Sequence, residues 1–199
     1  LLCFNKKLAA WLRTQTVEGV TAYHFHEFCS RFCEDAGYAV PSPDPAADAA
    51  PFFEHMLPDA LLEALGETDQ RYDAVIVDEG QDFLSSWWLP IQETLADPVN
   101  GIFYIFFDDN QSLYSTTQKF PFTAPLCSLS ENCRNTQRIH EEVSRFYQGQ
   151  EDIRCLGPDG RPAEVIAGGR LLVMLQETVK RLIHRDGLNP SDIVVLTPA

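Results

Sequence analysis

The chain has 199 residues, 45% of them hydrophobic and 13 of them phenylalanine, enough for one substantial core or one domain with part of a second. Twenty-nine acidic residues against fifteen basic give a net charge of −14, the reverse of the basic footprint that a tight nucleic-acid binder carries. No apolar run approaches the ~18 residues of a bilayer span and no signal-peptide pattern is present, so no membrane association is expected and the cytoplasm is the default.

The chain opens at Leu1 inside what reads as a core strand, which suggests an excised fragment. Leu1 to Phe4 is predicted as a strand, Lys6 to Arg13 as a short helix and Val20 to Tyr23 as a second strand. His24 to Ala36 reads as a helix, with Phe25, Phe28, Cys29, Phe32 and Cys33 recurring at helical spacing. His24, His26, Cys29 and Cys33 are close enough to raise a zinc site. Structural zinc sites usually pair two ligand couples across a longer loop, so reduced, partly buried thiols are the preferred reading. Residues 41–51 carry four prolines and little to bury, hence a loop. Phe52 to Leu65 is helical, with a break at Pro58.

Ala74 to Val77 is an apolar, β-branched run that ends in adjacent carboxylates, Asp78 and Glu79. Such a run fits a strand buried on both faces of a parallel sheet, where ligands bind beyond the carboxyl ends. A helix from Ser85 to Leu95 follows, bent or restarted at Pro90, and then a second fully buried strand, Gly101 to Phe107, again ends in acids, Asp108 and Asp109. Leu126 to Leu129 is a shorter strand candidate and Asn135 to Tyr147 a helix. Ile153 to Cys155 and Ala163 to Ala167 flank Gly157-Pro158-Asp159-Gly160, a hairpin signal. Leu171 to Arg185 is an amphipathic helix closed by Gly187, and Asp192 to Leu196 a final buried strand. Strands alternating with helices predict a three-layer α/β domain with a mostly parallel sheet.

Five blocks carry the chemistry: Leu1 to Ala9, His24 to Cys29, Val77 to Asp82, Phe107 to Tyr114 and Leu129 to Ile139. The joint signal is Asp78-Glu79-x-Gln81-Asp82 followed from Asp108 by Asp-x-x-Gln-Ser-x-Tyr. In sequence and order these blocks resemble the ATPase core of superfamily-one helicases of the UvrD/Rep type. The resemblance implies a partial RecA-like domain of the P-loop NTPase type over residues 1–150, with 151–199 leading into a second such domain. It implies ATP and Mg2+ as cofactors and single-stranded DNA, or RNA, as partner.

By this resemblance Asp78 holds the magnesium that bridges the β- and γ-phosphates, and Glu79 orients or deprotonates the attacking water. Gln111, able to donate and accept, senses the γ-phosphate, and the planar fork of Arg134 reaches the same group. Gln81, assigned to the nucleotide site, and Asp82 couple the hydrolytic loop to the neighbouring strand end. Phe4, Asn5, His26 and Tyr114 fall where the family touches single-stranded DNA. Blander roles stay open: a solvated loop for Gln111, a surface ion pair for Arg134, ordinary packing for the four DNA candidates.

The departures are specific. No Gly-x-x-x-x-Gly-Lys-Ser/Thr occurs in the 199 residues, so magnesium-nucleotide affinity should be slight. Cys133 stands where the family commonly has an adenine-stacking Tyr, Phe107 where it has Gly, and Ser115-Thr116-Thr117 where Trp-Arg-Gly often follows the Tyr. Two other readings therefore stand beside the helicase fragment: a non-catalytic interaction or regulatory module, and a metal nuclease using Asp78, Glu79 and Asp108. The helicase reading expects Asp78, Glu79, Gln111 and Arg134 to converge on one cleft, with the strands ending at Val77 and Phe107 as neighbours. With a charge of −14 and no Trp-Arg-Gly stack, the chain should bind single-stranded DNA only weakly, at about 10⁻⁴ M or weaker in physiological salt. Fluorescence anisotropy checks this; micromolar binding that survives salt would contradict it.

Overall fold

The computed structural model describes residues 1–40, 42–43, 48–108, 120, 125–147, 149 and 152–197. The chain divides into two compact units, Leu1–Ser128 and Leu129–Ala199. The first is an α/β unit with a four-stranded parallel sheet. Its elements are β1 (Leu2–Cys3), α1 (Lys6–Gln15), β2 (Tyr23–His24), α2 (Phe25–Asp35), α3 (Leu57–Ala64), β3 (Ala74–Val77), α4 (Trp88–Glu93) and β4 (Ile102–Ile105). The strand order is β2-β1-β3-β4, every pair parallel. Parallel neighbours require a crossover between them, and helices supply each one.

Local chemistry sets the helix starts. The Asn5 side chain accepts from the N–H groups of Lys7 and Leu8, capping α1. Pro58 and Pro90 each sit in the first turn of a helix segment, α3 and α4, just after a change of helical pitch. The two prolines thus divide each predicted helix. Phe52–Met56 forms a single wide turn ahead of α3, and Ser85–Trp87 a 3₁₀ turn ahead of α4.

Leu2, Val75 and Val77 join Phe25, Phe28, Phe32, Leu57, Leu61, Phe83, Trp88 and Ile91 in one core. In register with them, Phe103 and Ile105 pack partly buried against the same core. On the other face of β1, Cys3 is fully buried, and α1 packs against β1 and β2.

The sheet corrects the expectation that both long strands are buried on two faces. Ile102 is 54% exposed and Tyr104 59%. β4 ends the sheet among the described residues, so only its core-facing positions are covered.

The second unit contains β5 (Glu131–Asn132), α5 (Gln137–Ser144), β6 (Arg154–Cys155) and α6 (Leu171–His184). None of its described residues is buried. β6 pairs in parallel with β5, and Ala163 to Ala167 forms no strand, so the predicted hairpin is absent. The Gly157–Gly160 turn serves α5 instead. Pro158 and Asp159 carbonyls accept from the Gln137 and Arg138 N–H groups, and a Cβ on Gly157 would lie 1.9 Å from the Asn135 oxygen. Neither Leu126 to Leu129 nor Asp192 to Leu196 is a strand; Leu126 and Leu196 are exposed, and no described strand pairs with them. Gly187 closes α6 as expected, with φ +72° and the Leu188 N–H returning to the Leu182 carbonyl. No helix among the described residues is long and apolar enough to cross a membrane.

Candidate functional site

At the carboxyl end of β3 the chain is pinned on both sides. The Asp78 N–H donates to the Leu2 carbonyl at 2.8 Å, joining β3 to β1. Toward β4, the Phe106 N–H donates to Val77 and the Gly80 N–H to Phe106, both at 2.8 Å. Between these anchors Glu79 takes left-handed backbone, φ 54°, the single non-glycine with positive φ among the described residues. That conformation costs about 1–3 kcal/mol and persists only where surroundings over-determine it. The Asp78 carboxylate accepts from the Glu79 N–H at 3.1 Å, and Gly80–Asp82 completes a 3₁₀ turn.

Gln81 is the hub of this turn and is buried. Its Nε2 donates to Glu79 Oε2 at 2.6 Å, and its Oε1 accepts from the Asp108 N–H at 3.1 Å. The carboxylate pair on β3 is thereby linked to the end of β4 through one side chain. Asp82 lies at the rim; burial, and then the nearby Glu79 charge, raise its pKa. Gly80 is a steric requirement of this chain. A Cβ there would meet Ile105 Cγ2 at 2.5 Å and the Phe106 oxygen at 3.4 Å.

Beside the turn lies a second feature, a cavity of about 1030 Å³ lined by Phe4, Lys6, His24, His26, Phe53, Glu54, Asp82 and Trp87 among others. Trp87 builds its wall: its ring stacks on Phe25 at 4.7 Å and Phe4 at 5.8 Å, and its Nε1 donates to the Glu54 carbonyl. The His26 ring meets Trp87 edge-on at 5.0 Å, and its Nε2 is buried with no hydrogen-bond partner. Burial, reinforced by His24 alongside, pushes the His26 pKa down to about 4, so its ring is neutral at pH 7. Phe4 and Phe53 leave part of their surface exposed, at 39% and 38%.

The predicted site residues fall into five groups. Asp78, Glu79 and Gln81 come together on one turn, and Phe4 and His26 share one cavity. The Asn5 side-chain oxygen is engaged in capping α1. Gln111 and Tyr114 lie outside the described residues. Arg134 belongs to the second unit, on a loop whose Arg134 and Asn135 N–H groups both donate to the Asn132 side chain at 3.1 Å.

Sequence reasoning missed Trp87 and Phe53. The signal for Trp87 was its spacing of four residues from Phe83, and for Phe53 the adjacent Phe52. Cys29 and Cys33 are buried in the core, and desolvation raises both thiols, Cys33 to about 11. Among the described residues no three His, Cys, Asp or Glu side chains are grouped to hold a metal ion.

For Mg2+ the turn offers carboxylates at a strand end, the donor type that ion takes alongside water and phosphate oxygens. The phosphate cradle of a Gly-rich loop has no counterpart in the sequence. No protein-family model matches the chain, and no curated protein matches it.

Two outcomes follow. Gly80→Ala should destabilise the first unit by about 1–3 kcal/mol, and Ile105→Ala should recover part of that loss in the double variant; urea unfolding of the four proteins checks it. His26 gives a pH signature. An unfolded histidine takes its proton near 6.5 and the folded one near 4, so its contribution is intact above 6.5 and lost as pH falls toward 4. The stability difference between wild type and His26→Gln should therefore change between those pH values and stay level above them.

Proposed function

We propose that the chain is part of the ATPase core of a UvrD/Rep-like superfamily-one helicase or translocase, with a RecA-like first unit. The observation that carries this reading is the pairing of Asp78 and Glu79 at the carboxyl end of β3 with a hydrogen-bonded link to the end of adjacent, parallel β4. The carboxyl ends of parallel strands are the edge of the sheet where open α/β folds bind ligands. Bound Mg2+–ATP supplies an electrophilic γ-phosphate whose charge the ion neutralises. Asp78 would hold the ion. Glu79, held by Gln81 and its own backbone, would orient the attacking water and accept its proton.

Gln111 and Arg134 are proposed to contact the γ-phosphate. Phe4, His26 and Tyr114 would meet single-stranded nucleic acid, with Trp87 supporting the aromatic wall that Phe4 and His26 share. The protein would then convert closure on ATP into steps along the strand.

A second reading, a binding module that keeps this fold without turnover, is favoured by Cys133 and Phe107 at two of the family's motif positions. The deciding experiment uses a protein that extends before Leu1 to a phosphate-binding loop; if the coding sequence there holds no such loop, the ATPase reading fails. In that protein Glu79→Gln should leave ATP binding nearly unchanged and lower DNA-stimulated hydrolysis by about 10²- to 10⁴-fold. Asp78→Asn should instead weaken magnesium-dependent nucleotide binding. Steady-state hydrolysis with and without single-stranded DNA, paired with equilibrium nucleotide binding, measures both. A Glu79→Gln protein that turns over at the wild-type rate favours the module.

A further inference from the structure

We infer that Gln81 is a positioning residue that makes the orientation of the Glu79 carboxylate depend on the backbone leaving β4 at Asp108. The inference rests on the hydrolytic role proposed for Glu79.

A primary amide carries a donor and an acceptor on one rigid plane, and Gln81 uses them in opposite directions. Nε2 donates to Glu79 Oε2 at 2.6 Å while Oε1 accepts from the Asp108 N–H at 3.1 Å. The amide's orientation is forced. Turned over, it would set N–H against N–H and oxygen against carboxylate. Gln81 is 7% exposed, so water competes poorly for either bond. The main chains of the two strands are joined one step earlier, by the Gly80 N–H to Phe106 and the Phe106 N–H to Val77. Past that point, the Gln81 side chain spans from the Asp108 backbone to the carboxylate. A displacement of Asp108 therefore reaches Glu79 through this amide. Because the rate of proton abstraction depends on the base's alignment, Gln81 would set how strongly hydrolysis responds to ligands that move the Asp108 backbone.

The tether is tested first on the 199-residue chain, without nucleotide, by amide hydrogen exchange at Asp108. Glu79→Ala should raise that exchange about tenfold, and in a Gln81→Leu background the same change should add less than about twofold. An equal effect in both backgrounds, or none in either, overturns the tether. Gln81→Glu, nearly isosteric, guards against misfolding of the leucine variant: it keeps an acceptor for Asp108 and sets a carboxylate against Glu79. In that background Glu79→Ala removes the repulsion between the two carboxylates, so exchange at Asp108 should fall or stay level, and a rise as large as the wild type's overturns the tether.

Hydrolysis is tested second, in the extended protein. Gln81→Leu and Gln81→Glu should each lower nucleic-acid-stimulated kcat about 10²-fold with KM for ATP changed by less than about twofold. A loss confined to KM, or an unchanged kcat, overturns the positioning role. If the wild-type extended protein does not hydrolyse ATP, the hydrolytic reading falls and takes the catalytic half of this inference with it. The exchange cycle still decides the tether.

Discussion

The contact on which the rest of this structure depends is the close approach of the Glu79–Asp82 turn to the end of β4. It requires a glycine, because Ile105 and the Phe106 carbonyl occupy the space a Cβ would need at position 80. Beside it Glu79, a residue other than glycine, is held in left-handed backbone by hydrogen bonds on both sides. The register of β3 on β4, Val75 opposite Phe103 and Val77 opposite Ile105, sets these atoms face to face. A slip of one residue would turn both apolar pairs out of the core and separate the turn from β4.

The same core supports the aromatic cavity. Phe25 is fully buried and stacks on Trp87, while Phe83, also fully buried, stacks on Trp88. Trp87 therefore has one face on the core and reaches Phe4 and His26 with the rest of its ring. A change in the core at Phe25 would reach the cavity through two rings, Trp87 and His26, the second with its centroid 5.4 Å from that of Phe25. The carboxylate turn and the cavity share Asp82, which lines the second while belonging to the first.

The second unit is organised differently. With no described residue buried, its order comes from polar scaffolding rather than from a core. Asn132 accepts two N–H groups of the Arg134 loop and meets His140 through its amide, and His140 contacts the Ile153 carbonyl. Each such bond contributes about 1 kcal/mol net, so this unit has less to resist local opening than the first. The apolar residues of α6 illustrate the point: Leu171 and Leu172 are 74% and 73% exposed.

The sequence by itself determined the elements whose cause is local. The 3.6-residue periodicity of α2, the divisions at Pro58 and Pro90 and the Gly187 stop are properties of a few neighbouring residues, and the structure keeps all of them. The carboxylates after Val77 were legible for the same reason: a β-branched run that ends in charge marks a strand end. Tertiary structure decided what depends on distant partners. Among the described residues it made β4 the last strand of the sheet, with Ile102 and Tyr104 exposed, though its composition reads as fully buried. It also turned the Gly157–Gly160 segment toward α5 instead of into a hairpin, because the Gln137 and Arg138 N–H groups at the start of that helix needed acceptors. Gln81 lies between these cases. Its place beside Glu79 is written in the chain, but its second bond reaches 27 residues onward to Asp108, and only the folding of β4 against β3 brings that N–H within reach.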